Sequence, residues 1–141
     1  ARQELRYEEC EQFLPLRDGD VVFCPSCYDG DSFRICWIDH RGRKARLIGR
    51  LAGIDTPELR TSCEREKSLA LRAKERLENA VAGQFVTIRR PAVEKFGRSL
   101  SDLQTETIES VADYMLTDPD TARPYAGGKK EKWDDNVVTT R

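Results

Sequence analysis

Carboxylates beside arginine are the raw material of phosphate chemistry, and one stretch, Arg50-Leu51-Ala52-Gly53-Ile54-Asp55-Thr56-Pro57-Glu58, holds both. An apolar strand bearing Arg50 runs into an Asp-Thr-Pro-Glu turn that sets Asp55 and Glu58 beside a helix start. The turn has an ordinary reading as well: Asp or Thr caps a helix, Pro takes its first position, and Glu favours its positive end. Taken alone, it favours that ordinary role; the residues around it reverse the balance. Asp31 and Asp55 supply hard oxygen ligands of the kind that hold Ca²⁺ or Mg²⁺, with waters and a backbone carbonyl filling the remaining positions. Two carboxylates are too few for a two-metal centre, so one weakly held ion is expected. Phosphodiester hydrolysis also needs a base, and positive charge where the transition state gathers negative charge. Glu58 is the nearest base. Arg50 and Arg98 each offer a fork of donors that fits phosphate oxygens and that lysine cannot copy.

Short strands must position these groups. Val21-Val22-Phe23 reads as a strand, followed by turn-rich Pro25-Ser26 and Tyr28-Asp29-Gly30-Asp31. Phe33, Ile35 and Trp37 alternate with Arg34 and Cys36 as a half-buried strand. Asp39-His40-Arg41-Gly42 is a hairpin turn, after which residues 45–54 resume extended sequence. Such a hairpin should bring Asp31 and Asp55 onto one rim. A second acidic turn, Asp18-Gly19-Asp20, is set aside as the metal site because it does not directly precede the hairpin that leads to Arg50. Asp29 is assigned a turn or supporting role rather than direct ligation.

Thr61-Ser62-Cys63-Glu64 has the form of a capping box, and Leu69, Ala70, Ala73, Leu77, Ala80 and Val81 follow at helical spacing until Gly83. The basic residues at 65, 67, 72, 74 and 76 interleave with glutamates and read as solvated ion-pair partners. Phe85, Thr87 and Arg89 alternate as a strand, residues 94–98 turn the chain, residues 99–103 return it, and a helix is predicted over 107–116. The tail from Ala122 to Lys130 is basic and turn-rich and carries Tyr125. A mainly β chain with helices (α+β), a five-stranded oligonucleotide-binding (OB-fold) barrel with inserted and C-terminal helices, accounts for this order. Residues 1–17, with anchors Leu5, Tyr7, Phe13, Leu14 and Leu16, read as an N-terminal extension packing on a domain spanning 18–141.

Three motifs in register, Asp29-Gly30-Asp31-Ser32-Phe33-Arg34, the stretch from Arg50 to Glu58, and Phe96-Gly97-Arg98, resemble the staphylococcal-nuclease-like, or thermonuclease, family. The resemblance runs from about residue 20 to Tyr125. It implies an OB-fold and Ca²⁺-dependent cleavage of DNA and RNA on the 5′ side of the phosphodiester, leaving 3′-phosphate ends. It also implies that Asp31 and Asp55 hold calcium with the backbone carbonyl of Thr56, that Glu58 is the general base or orients the water, and that Arg50 and Arg98 clamp the phosphate. Ser32 stands where Thr is commoner and Phe96 where Tyr is often found, and residues 117–125 depart from the usual Gly-Leu-Ala pattern. Tyr125 reads either as the family's base-stacking or phosphate-binding tyrosine or as a surface-turn aromatic. Lys95, beside Arg98, reads as a second phosphate contact or a solvated lysine.

The composition is compatible with this reading and selects nothing by itself. A chain of 141 residues can bury about two thirds of its unfolded surface in one domain. It has no apolar run fit to cross a membrane, so no membrane partner is expected, and a monomer is expected. The net charge of −1 does not announce a nucleic-acid binder, yet residues 41–50 carry Arg41, Arg43, Lys44, Arg46 and Arg50 with no acid among them. Five cysteines cannot all pair within one chain. Cys24-Pro25-Ser26-Cys27 has redox or zinc spacing, but with no second such pair and His40 the only histidine, disulfides or buried thiols are expected instead. A weak Ca²⁺ site saturates where calcium is millimolar, so a secreted or periplasmic home is expected; the start at Ala1 suits removal of a leader. The rival function is a nuclease-like barrel that binds nucleic acid or protein without catalysis. Such domains usually lack some of the carboxylates or arginines that this chain retains.

Overall fold

The computed structural model describes residues 5–10, 13–94 and 98–133. Strands β1 (Val21–Cys27), β2 (Ser32–Ile38), β3 (Lys44–Leu51), β5 (Gln84–Val93) and β6 (Ser99–Gln104) close into a barrel in the order β1-β2-β3-β6-β5. Between β3 and β5 lie the short strand β4 (Ile54–Asp55) and helix α1 (Glu64–Val81); helix α2 (Val111–Leu116) and strand β7 (Arg123–Pro124) follow the barrel. β4 and β7 pair with each other as a separate two-stranded sheet. β3 and β6 run parallel, as they can because the chain makes a long helical crossover between them, and all other barrel pairs are antiparallel. This is the expected OB-fold barrel with an inserted and a C-terminal helix.

Period-two patterning fills the core. Phe33 and Ile35 of β2, Val86 and Ile88 of β5, and Leu103 of β6 turn inward, while Leu77 and Val81 of α1 and Met115 of α2 close the barrel from outside the sheet. Gly49 lies against the Phe33 ring so closely that a Cβ there would come within 2.6 Å of it. The β2–β3 hairpin turns at Asp39, whose carboxylate accepts from the backbone N–H groups of Arg41 and Arg43.

Several local readings are corrected. β1 runs straight through Pro25 and Ser26, because the ladder with β2 shifts register between Phe23 and Ser26 and a bulge tolerates a residue with no N–H. The cap of α1 is Cys63 rather than a Thr61–Glu64 box: its Sγ accepts from Glu66 N at 3.5 Å, while the Thr61 hydroxyl donates to the Glu66 carboxylate at 2.8 Å. α2 starts at Val111, because the Thr105 hydroxyl takes the N–H groups of Thr107 and Ile108 and Ser110 becomes the cap. Arg76 is no solvated partner. It donates to the carbonyls of Tyr114 and Met115 and to the hydroxyls of Thr117 and Thr121, fastening α2 to α1 at the helix end where orphan carbonyls gather.

Of the N-terminal anchors, Leu16 enters the core and Leu14 is half-buried, but Leu5, Tyr7 and Phe13 are exposed. None of the five cysteines is in a disulfide, and Cys24 and Cys27 are buried. No described helix is long and apolar enough to cross a membrane.

Candidate active site

The β2–β3 register pairs Ser32 with Arg50, which puts the Asp31 turn and the end of β3 side by side. Asp31 is held from three directions. Its N–H donates to the Asp29 carboxylate at 3.1 Å, its carbonyl accepts from Leu51 N at 2.8 Å, and the Ser32 hydroxyl reaches its Oδ1 at 3.3 Å. Asp29 therefore serves the turn, as expected. After β3, Gly53 at φ +84° reverses the chain into β4, which carries Asp55 back to the same rim.

Arg50 joins the two aspartates. A single nitrogen, Nη2, lies 3.3 Å from Asp31 Oδ2 and 3.8 Å from Asp55 Oδ1, and also donates to the Ile54 carbonyl at 3.3 Å. All three residues are buried, at 7%, 6% and 4% exposure for Arg50, Asp31 and Asp55. The Asp31 carboxyl is pushed up to about 7, first by burial and then by the Asp29 charge and hydrogen bond, with Arg50 and Lys130 pulling only partly the other way. Burial thus makes a charge on Asp31 costly, and Arg50 and Lys130 offset only part of that cost. Oxygen donors short of compensating charge fit a hard divalent cation, with the buried Thr56 next to Asp55 adding a carbonyl from the same turn. No cluster of three or more His, Cys, Asp or Glu side chains suited to a metal occurs among the described residues, so an ion here would complete its shell with backbone and water.

Gly30 sets how near the Asp31 turn comes to the rest of the site. A Cβ there would fall 2.6 Å from the Ala73 Cβ of α1 and 3.0 Å from the Thr56 hydroxyl. Gly30→Ala is therefore expected to lower stability by about 1–3 kcal/mol through overpacking. An ion held by Asp31 and the Thr56 carbonyl would then bind more weakly, because the turn must back away from Thr56; thermal unfolding with and without Ca²⁺ checks both, and unchanged midpoints would mean that the turn yields freely.

Glu58 is exposed and lines a cleft of about 660 Å³ together with Asp55, Thr61, Glu66, Lys130 and Trp133. Its backbone N–H donates to the Glu66 carboxylate at 3.3 Å, so the first turn of α1 fixes the Glu58 loop. A larger groove of about 1090 Å³ lies between the N-terminal segment, β1 and β2, and contains none of the predicted site residues. The smaller cleft is the one that holds the predicted site residues Asp55 and Glu58.

Tyr125 belongs to the site. Its ring centroid is 5.4 Å from the Arg50 guanidinium carbon, its N–H donates to the Gly53 carbonyl at 2.9 Å, and its hydroxyl donates to the Gly128 carbonyl at 2.7 Å. Arg98 is not brought to Asp31 or Asp55: it is 59% exposed at the side chain and ion-paired with Glu94. The strand register sets its neighbour Ser99 against Gly49, so its backbone is close to Arg50 while its charge is spent elsewhere. Lys95 falls outside the described residues. Asp18 and Asp20, the rival acidic turn, are committed to Arg89, the Arg90 N–H and the Arg17 N–H.

Two site residues escaped the sequence reading. The tail after β7 folds back so that the Lys130 ammonium lies 3.3 Å from Asp55 Oδ1 and the Trp133 indole N–H donates to Asp55 Oδ2 at 3.2 Å. Each carboxylate oxygen has two lone pairs, so these contacts leave Asp55 capacity to bind more. The only sequence signal was the pair Gly127-Gly128, whose positive φ values of +95° and +85° allow the reversal.

An OB-fold barrel whose rim gathers two buried aspartates, an arginine and a glutamate defines a nuclease-like protein. The family described as staphylococcal nuclease homologue matches residues 49–132, and the chain belongs to it. The match includes Arg50, Asp55, Glu58, Arg98 and Tyr125; Asp31 precedes it, and is tied to the site by the contacts above. No curated protein matches the chain.

Proposed function

We propose that the protein is a calcium-dependent phosphodiesterase that hydrolyses DNA, RNA or both on the 5′ side of the phosphodiester, leaving 3′-phosphate ends. The observation that carries this reading is the single Arg50 nitrogen shared between two buried aspartates, a buried charge centre that structure alone does not require. Asp31, Asp55 and the Thr56 carbonyl would hold the ion; when bound, calcium supplies positive charge to the phosphate and its developing negative charge. Glu58, exposed on the same cleft as Asp55, would take a proton from water. Arg50 clamps the phosphate. Because the ion has few protein ligands, the site suits millimolar calcium and hence an exported protein.

The ion pair that holds Arg98 favours a second reading, a nuclease-like barrel that binds nucleic acid with weak or no catalysis. Cleavage of labelled single-stranded DNA and RNA in Ca²⁺, Mg²⁺ and EGTA decides between them. Cutting that needs Ca²⁺, yields 3′-phosphates and falls at least about a hundredfold in Glu58→Gln is expected. Salt-sensitive binding without cutting would establish the binding module.

A further inference from the structure

The strap after β7 contributes an aromatic face that the proposed chemistry has not used. β7 pairs Arg123 with Asp55 of β4, and ten residues later the chain returns to the same aspartate through Trp133. The indole is fixed from two sides. Its N–H is held by Asp55 Oδ2 at 3.2 Å, and the Arg123 guanidinium carbon lies 3.6 Å from the ring centroid. Arg123 donates to Glu131 through Nη1 and Nη2 while its buried Nε makes no hydrogen bond among the described residues, and the face of the guanidinium lies against the ring. Arg123 itself does not line the 660 Å³ cleft, whereas Trp133 does; the arginine backs the ring and the cleft lies beside it.

The lining decides what could rest there. Asp55, Glu58, Glu66 and Glu131 outnumber Lys130 and Lys132 in it, and a cleft with that excess of acid disfavours a second phosphate and suits a neutral, flat group. Resting on the nuclease reading above, we propose that Trp133 is a stacking platform for the nucleobase adjoining the scissile phosphate, and that the strap from Arg123 to Trp133 is one wall of the substrate site. Lys130, on the other oxygen of Asp55 and 5.5 Å from the Tyr125 ring centroid, is the tie that holds this wall closed. Every base has a face to stack, so the platform binds single strands with little regard to sequence. Trp133 lies just past the family match, which ends at residue 132.

The test uses the full chain and a short phosphorothioate single strand, which resists hydrolysis, beside a fully abasic strand of equal length. Affinities are read by fluorescence anisotropy in Ca²⁺, and KM and kcat on the ordinary strand. Trp133→Ala should raise Kd and KM roughly 5- to 150-fold, the span of base–aromatic stacking, a larger change than that in kcat. Trp133→Phe should recover most of the loss, and the abasic strand should bind wild type and Trp133→Ala alike. Equal weakening for both strands would reduce Trp133 to a structural brace, and no weakening would remove it from the site; either overturns the proposal. The Phe variant and circular dichroism guard against a variant that fails to fold. A wild type that shows this binding pattern but never cuts would sink the nuclease reading and leave the platform standing. A wild type that cuts while its Trp133 variants behave like it would do the reverse.

Discussion

Arg50→Lys is expected to lower kcat/KM on single-stranded DNA by about a thousandfold, or about 4 kcal/mol of transition-state stabilisation, while the barrel stays folded. The described contacts of Arg50 all fall on one nitrogen: Nη2 meets Asp31, Asp55 and the Ile54 carbonyl. Nε and Nη1 are left for a phosphate, with the Tyr125 ring flanking the guanidinium at 5.4 Å. The planar fork thus does two jobs at once, neutralising the buried aspartates and presenting donors outward. A lysine has one nitrogen at the end of a flexible stem. Held by the aspartates, it leaves the phosphate without a partner; turned outward, it leaves two buried carboxylates uncompensated. The positive charge is retained either way, so secondary structure and the unfolding midpoint should change far less than activity. Steady-state kinetics beside a thermal melt checks this. A loss under tenfold would show that Arg50 serves mainly to neutralise the aspartates, and would favour the binding module.

What the sequence disclosed and what it hid divide along physical lines. The β2–β3 hairpin, the inward turn of Phe33 and Ile35, and the meeting of Asp31 with Asp55 were legible because strand alternation and a hairpin turn act over a few residues, whereas which face of β5 turns inward was not. The start of α1 was misplaced because a cysteine thiol took the capping role that Thr61 seemed built for, and Thr61 bonded the Glu66 side chain instead. Arg76 looked like any charged residue on a solvated helix face. Its role appears only once α2 ends opposite it with carbonyls to satisfy. Trp133 and Lys130 were hidden for a different reason. Their partner is 78 residues away for Trp133, and no periodicity links a residue in an irregular tail to a short strand so far back in the chain. Arg98 is a different case: its place in a motif implies a clamp, and in the structure a carboxylate four residues before it pairs with its charge.

Asp31→Asn should separate the cost of the site from its use. In EGTA the wild type carries a buried carboxyl pushed up to about 7 from an ordinary 3.8. Between those two pH values the folded chain keeps a proton that the unfolded chain releases, so metal-free stability falls as pH rises from about 4 to about 7, and the full cost is present above that. At 1.36 kcal/mol for each pH unit the penalty approaches roughly 4 kcal/mol, less whatever local water and rearrangement relieve. Asparagine removes the charge and keeps the shape: its carbonyl can still accept from Ser32, and Arg50 retains Asp55. The variant should therefore melt higher than wild type in EGTA at pH 7.5 and lose the acid-side slope. Calcium should invert the comparison. Ion at about a hundred times its Kd adds about 3 kcal/mol to the wild type, whereas a variant lacking a ligand gains little. Melting curves over pH with EGTA, repeated in millimolar Ca²⁺, read both effects. A variant as responsive to calcium as wild type would remove Asp31 from the ligand set. A variant less stable in EGTA at every pH would mean that Arg50 already compensates the buried charge, and the argument that this pocket calls for a cation would go with it.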